Sequence, residues 1–414
     1  MKVAIADIRA DPLGFLQALV AEHGDIVRHE TEEQVVITLN RPEYAHHVLR
    51  NRDRNYAKRG TPDDAMLTPL LGRGLLTSDG ETWKKQRRIT QPSFEKRRID
   101  ALGDLIVEET LALVERWRES AGEIVRLDHD LSSLTLAVVA RAILGSDMTG
   151  IGPRFGEAID AVNRFMGHYD PLLPGAEGDR ARAEFGNAVR FLDTLVALLV
   201  QGRRAGGDDA GDLLSALLAG GFDDREIRDQ VLTMLMAGHE TTAKALSWTS
   251  YLLDEHPDVA ARLDRELARD PRTPFTLQVV QESMRLYPPV WLISRVATVD
   301  DEIDGFPVPA GALVCISPYL LHRHPEYWDD PERFDPDRFS AERSAGRPEF
   351  AFMPFSGGPR RCIGERFALF EAQLALATIR RRVAIRLVPG HPVEPEALVT
   401  LRPRHGLLAT IAPR

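Results

Sequence analysis

The chain has 414 residues, a hydrophobic fraction of 43% and a net charge of −10. That apolar content supports a large buried core and excludes a disordered chain, and the acidic balance argues against nucleic-acid binding. The two cysteines, Cys315 and Cys362, are too few for a disulfide framework and fit no CxxC zinc or redox spacing.

In chain order, residues 11–23 read as a short helix, Ile26–His29 and Gln34–Leu39 as strands, and Pro42–Arg50 as a second helix. The N-terminal stretch has no signal-peptide pattern, and no apolar run approaches the ~18 residues that span a bilayer. The expectation is a cytoplasmic protein without a membrane anchor. Residues 55–75 are rich in Gly and Pro and read as a loop. From Glu81 to about Leu252 the pattern is helical, with breaks near 120, 149–154, 170–178 and 203–211.

Asp223, Asp224 and Glu226 give a polar helix start, and a helical pattern runs from there to Glu255, where His256-Pro257 ends it. At 1.5 Å rise per residue such a helix is about 45 Å long, enough to cross a domain. Pro288-Pro289 closes the next helix. Short β-like runs follow at Trp291–Ala297 and Leu313–Ser317, and Leu407–Ala412 reads as a final strand. There is no repeat and no long low-complexity linker. The expected architecture is one domain over 1–414, mainly α with a small β portion. Only six of the 52 basic residues are lysine, a bias that suggests a GC-rich bacterial genome.

The most specific stretch is Phe355-Ser-Gly-Gly-Pro-Arg-Arg-Cys-Ile-Gly364. Glycines let the backbone take positive φ and approach a flat ligand closely. Residues from Glu365 to Ala377 alternate at helical spacing, so Cys362 lies just before a helix N-terminus. There, amide groups and the helix dipole favour thiolate over thiol. A thiolate in such a loop suits an iron atom whose opposite face stays open, and one axial thiolate on haem favours O–O cleavage. A buried, inert cysteine is the commoner fate of an isolated one, and Cys315, in an apolar run, keeps that reading.

Phe355-x-x-Gly358-x-Arg360-x-Cys362-x-Gly364 resembles the haem-binding signature of the cytochromes P-450. Trp83-x-x-x-Arg87, Ala237-Gly-His-Glu-Thr-Thr242, Glu282-x-x-Arg285 and Pro331-Glu-Arg-Phe334 resemble further marks of that family, in the same order. The resemblance covers almost the whole chain. It implies the family fold, an α-rich triangular prism with a minor sheet and a long central helix crossing the haem. It implies haem b with Cys362 as axial ligand, and dioxygen as co-substrate. The expected reaction inserts one oxygen atom into a C–H or C=C bond of a hydrophobic small molecule.

Within that resemblance, Thr241 handles bound dioxygen and Glu240 relays protons. Ala237, one turn before Thr241, leaves room for a flat macrocycle. Gly238 weakens the helix by about 1 kcal/mol relative to Ala, and threonines divert local hydrogen bonds, so a groove in the helix is expected there. His239 reads as helix surface. Trp83, Arg87, Arg295 and Arg360 are the expected propionate partners, because the planar guanidinium fork suits carboxylates. Phe355, Gly358 and Gly364 shape the cysteine loop. Glu282 and Arg285 are expected to form a buried network with Arg333, supporting the loop.

Lys84, Lys85, Arg88, Arg361 and Arg366 form a candidate docking face for an acidic electron donor, or an ordinary solvated face. No flavin or iron–sulfur pattern is present, so electrons are expected from a ferredoxin or flavodoxin with its NAD(P)H reductase. The protein is expected to be a monomer. Rival readings are a peroxide-driven or non-oxygenating haem-thiolate enzyme and, in another class, a haem-based gas sensor or carrier. By family analogy, substrate contacts come from residues 60–75, 160–185, Leu235 to Thr241, Val290 to Ile293 and Leu398 to Val399. Their apolar character points to a terpenoid, polyketide or fatty acyl chain.

Overall fold

The computed structural model describes residues 1–145, 150–167, 176–206 and 211–414. The fold divides into two compact units, each built from two stretches of chain. One comprises Met1–Met66 with Gln281–Ile363, the other Leu67–Val280 with Gly364–Arg414.

The first unit is organised around a five-stranded sheet. Its order is Ile26–Glu30, Val35–Leu39, Leu313–Ile316, Ile293–Ala297 and Tyr56–Ala57. Val35–Leu39 pairs parallel with Leu313–Ile316, and the other neighbours are antiparallel. Leu313–Ile316 is buried at every position, as a central strand covered on both faces should be. Ile37, Leu39, Val314 and Ile316 join Leu49 and Phe350 in one apolar core. Cys315 packs on the other face with Val36 and Leu313. Burial, with the Asp63 carboxylate nearby, pushes its thiol up to about 12, so it is inert.

The second unit is mainly helical. Its longest element, Asp224–Glu255, has 32 residues, about 48 Å of helix. The start is fixed by a capping box: Asp223 accepts from the Glu226 amide at 2.7 Å, and Glu226 accepts from the Asp223 amide at 3.0 Å. The Leu127–Leu144 helix packs along it. A small sheet of Ile124–Arg126, Leu408–Pro413 and Val383–Leu387 completes the unit.

Several elements differ from the sequence expectation. Residues 55–75 contain a helix, Pro62–Leu71, although Pro69 and a weak apolar stripe hide it. The Pro42–Arg50 helix is α only to His46; His47–Asn51 is a π-turn, closed by Arg52 N–H donating to the His47 carbonyl at 2.8 Å. Ile5–Ala10 and Ile124–Arg126 are further short elements that the pattern did not mark. The break near 120 coincides with the end of the Gly103–Glu119 helix. The other three breaks lie partly outside the described residues.

Candidate active site

In the first unit the cysteine loop is shaped by contacts with no clearance. Gly358 has φ +66, and a Cβ there would sit 1.7 Å from the Leu49 carbonyl oxygen. No L-residue fits that position. Gly357 is extended, at φ −148; its constraint is steric, since a Cβ would come 2.2 Å from the Phe350 ring. The residue between Phe355 and Gly357 that takes positive φ is Ser356, at +61, and Gly364 is at −89. Of the signature glycines, only Gly358 therefore uses the left-handed region. Main-chain bonds close the loop: Ser356 N–H to the Met353 carbonyl at 3.0 Å, Arg361 N–H to Gly358 at 3.1 Å, and Cys362 N–H to Phe355 at 2.9 Å. The Cys362 side chain is exposed and in no disulfide, and Arg360 is half-buried. The Glu365–Arg380 helix begins three residues after Cys362.

The first unit also holds a buried ion network. Glu282 and Arg285 pair at 2.7 Å with both side chains fully buried. Arg285 also donates to the carbonyls of His322, Pro331 and Arg333, at 2.9, 2.6 and 3.0 Å. The second guanidinium of the network is Arg338, 3.3 Å from Glu282. Arg333 was expected there, but its side chain is exposed and it contributes only its carbonyl. The signal that could have found Arg338 is a second Pro-x-Arg-Phe segment, Pro336-Asp-Arg-Phe339. Burial lowers the Arg338 pKa. Trp328 lies against Arg285 and Arg347, at 5.1 and 4.2 Å from ring centroid to guanidinium, a packing that disperses their charge. Arg295 is also buried, on the Ile293–Ala297 strand, and donates to the Ser294 carbonyl at 2.7 Å.

In the second unit, Ala237, Glu240 and Thr241 lie on the long helix. The helix runs through this segment without interruption, so the expected groove is not a break. Thr241 Oγ1 donates to the Ala237 carbonyl at 2.7 Å, and Thr242 Oγ1 to the Gly238 carbonyl at 3.2 Å. Gly238 has a packing reason: a Cβ there would meet Val139 at 2.7 Å. Ala237 is exposed and Thr241 half-buried, while Glu240 and Thr242 are buried. Glu240 accepts a hydrogen bond from Thr400 Oγ1 at 3.0 Å.

His239 is not surface. It is 1% exposed, its Nδ1 lies 2.7 Å from the Leu235 carbonyl, and its ring meets Phe155 edge-on. Burial lowers its pKa, so it is a neutral core residue. Glu371, on the Glu365–Arg380 helix, was not anticipated: it is fully buried, and burial raises its pKa well above the usual range. Trp83 and Arg87 share one face of the Gly80–Thr90 helix, both half-buried, with Arg87 Nε donating to Gln91 at 3.3 Å.

The family model for cytochrome P-450 matches residues 5–408 of this chain. The chain belongs to the cytochrome P-450 family. Cyclooctatin synthase of Streptomyces melanosporofaciens is 36% identical over 94% of this chain and 89% of its own length. Pentalenene oxygenase of Streptomyces avermitilis is 34% identical over 94% and 90%. The haem domain of cytochrome P-450DA superposes with a TM-score of 0.88 at 27% identity, covering 97% of this chain and 93% of that one. This P-450 is a haem-thiolate monooxygenase that uses dioxygen.

The residues present fit a haem. Cys362 offers an exposed sulfur at the end of a loop whose backbone is held by main-chain bonds. Arg87 and Arg360 are half-buried cations suited to propionates. Ala237 is exposed on the long helix and carries only a methyl group, with half-buried Met236, Gly238 and Thr241 around it. Among the described residues no cluster of His, Cys, Asp and Glu could hold a separate metal ion, and no helix is long and apolar enough to cross a membrane.

Proposed function

We propose that this P-450 works over 1–414 as a single haem-thiolate domain, with haem b ligated by Cys362, and hydroxylates or epoxidises a terpenoid-type skeleton. The observation that carries the reading is the exposed Cys362 thiol at the end of the glycine loop packed on Leu49. The names of relatives support the substrate class: besides the two above, cyclooctat-9-en-7-ol 5-monooxygenase of Streptomyces melanosporofaciens is 34% identical over 92% of this chain.

When bound, haem with a thiolate ligand supplies dioxygen reduction and the oxidising power for C–H chemistry. The chain supplies binding and proton control. Arg87, Arg295 and Arg360 neutralise the propionates, and the Trp83 indole N–H adds a donor. Phe355, Gly358 and Gly364 keep the cysteine backbone in register. Ala237 leaves the space a larger side chain would fill.

Thr241 Oγ1 has one proton and two lone pairs. Its proton now rests on the Ala237 carbonyl, and one χ1 rotation redirects it. Glu240 is held by Thr400, so its carboxyl can take a proton on one oxygen while the other stays anchored. By family analogy, substrate contacts are expected from 60–75, Val290 to Ile293, Leu398 to Val399 and, within Leu235 to Thr241, from Met236, Ala237, Gly238 and Thr241, which are not buried. The expected contacts over 160–185 lie partly outside the described residues. Electrons come from a ferredoxin or flavodoxin with its NAD(P)H reductase, in the cytoplasm, to a monomeric enzyme.

The test is turnover of cyclic terpenoid substrates with NADPH, reductase and ferredoxin under isotopically heavy dioxygen. One heavy oxygen atom per product molecule is expected. Product formed only with added peroxide, or without heavy oxygen, would contradict the reading.

A further inference from the structure

We infer that His322 is a positioning residue for the cysteine loop: its buried imidazole joins the Arg285 carbonyl to the Met353 amide, and so ties the Glu282–Arg285 ion pair to the chain entering that loop. The inference rests on reading Cys362 as the haem ligand.

The hydrogen-bond accounting fixes the chemistry. Met353 N–H donates to His322 Nε2 at 2.9 Å. That makes Nε2 an acceptor, so the ring proton sits on Nδ1, which faces the Arg285 carbonyl at 3.3 Å. Arg285 returns a bond through Nη1 to the His322 carbonyl at 2.9 Å. The two residues therefore hold each other through both main chain and side chain. The imidazole is fully buried and lies against the Phe352 ring, 5.1 Å between centroids. Burial and the nearby Arg285 and Arg323 cations push its pKa down to about 3. The ring is neutral at working pH, as its acceptor role requires.

The consequence runs along the main chain. The Met353 carbonyl receives Ser356 N–H, and Ser356 is the non-glycine residue at φ +61 that turns the chain. One residue before Ser356, the Phe355 carbonyl receives Cys362 N–H. Removing the acceptor at Nε2 leaves the Met353 amide buried without a partner, at the point where the loop departs from the ion network. A conserved shape is not enough at residue 322; an acceptor facing Met353 is needed.

The experiment compares wild type, His322→Phe and His322→Gln, all as holoenzyme, with fold content followed by circular dichroism. The readout is the rate at which the reduced carbon monoxide complex loses its red-shifted thiolate band on mild warming. His322→Phe fills the space without an acceptor and should lose the band about tenfold faster, the size of one buried hydrogen bond. His322→Gln, which offers a carbonyl and an N–H, should recover most of the loss. Equal rates for wild type and His322→Phe would overturn the inference, as would failure of His322→Gln to recover anything.

Nitrogen NMR of the histidine rings in the diamagnetic carbon monoxide complex tests the wild type directly, even if a variant fails to fold. An unprotonated Nε2 and protonated Nδ1 at neutral pH are expected; the opposite tautomer, or a charged ring, would overturn the inference. A wild type that never shows the thiolate band would instead sink the haem-thiolate reading.

Discussion

The chain around Cys362 and the stretch Ala237–Thr242 handle their polar groups in opposite ways. Around Cys362 the geometry is over-determined. Gly358 touches the Leu49 carbonyl with no room for a Cβ, three main-chain bonds close the loop, and a fully buried ion pair is tied through His322 to the chain entering it. On the long helix the hydroxyls of Thr241 and Thr242 donate to carbonyls one turn back, those of Ala237 and Gly238, and the Ala237 side chain is exposed. A metal ligand must keep its position to within a fraction of an ångström, and a rigid backbone does that. A group that handles protons must change partner, and a threonine needs one torsion to do so. On the proposed roles, rigidity falls at Cys362 and torsional freedom at Thr241.

The largest expected effect falls on the rigid side. Glu282→Gln removes the charge that two buried guanidinium groups share. It should cost about 3–5 kcal/mol, the usual result of leaving a buried charge unpaired, measured by denaturant unfolding of the holoenzyme. A loss below ~1 kcal/mol would mean that Arg285 is held by its three carbonyl contacts alone. Gly358→Ala comes next. A left-handed conformation costs about 1–2 kcal/mol for an L-residue, and forced overpacking typically adds about 1–3 kcal/mol. Haem retention after gel filtration should fall in step.

On the helix the effects should be functional and not structural. Thr241→Ala should keep haem, substrate binding and stability, but divert reducing equivalents to hydrogen peroxide. Thr242→Ala should do much less, because Thr242 lies about 100° further round the helix and is buried. Product yield per NADPH, measured beside peroxide, separates the two. Equal coupling in Thr241→Ala and wild type would remove the proton role and erase the contrast between the regions.

Much of this was legible in the sequence, for physical reasons that vary by element. The long helix was readable end to end because Asp223 with Glu226 is a capping box and His256-Pro257 a stop. The cysteine loop was readable because its glycines and Cys362 occur at fixed offsets. The second arginine of the ion network was not. Pro331-Glu-Arg-Phe334 and Pro336-Asp-Arg-Phe339 carry the same local signal, and only tertiary packing turns Arg338 inward while Arg333 faces solvent. His239 was misplaced for a related reason. A polar residue on a helix reads as surface until a neighbour covers it, and here Phe155 and the Leu127–Leu144 helix do so.

The smallest expected effect concerns electron delivery. Lys84 pairs with Glu81 at 2.6 Å, and Lys85 with Glu226 at 3.4 Å while lying over the Phe222 ring. Those contacts already weaken a docking face. Charge reversal at Lys85 and Arg361 together should slow reduction modestly and leave substrate affinity unchanged. The wild-type rate should fall with salt, since exposed charges are screened beyond about 10 Å at 0.1 M. Insensitivity to both would return these residues to ordinary solvated surface.

The most direct test of the account is the carbon monoxide difference spectrum of the reduced protein, recorded for wild type, Cys362→Ser and Cys315→Ser. Wild type and Cys315→Ser should show the strongly red-shifted thiolate Soret band, because Cys315 is an inert buried thiol. Cys362→Ser should lose the band or lose haem. A Cys362→Ser protein that keeps the band would contradict the account at its centre.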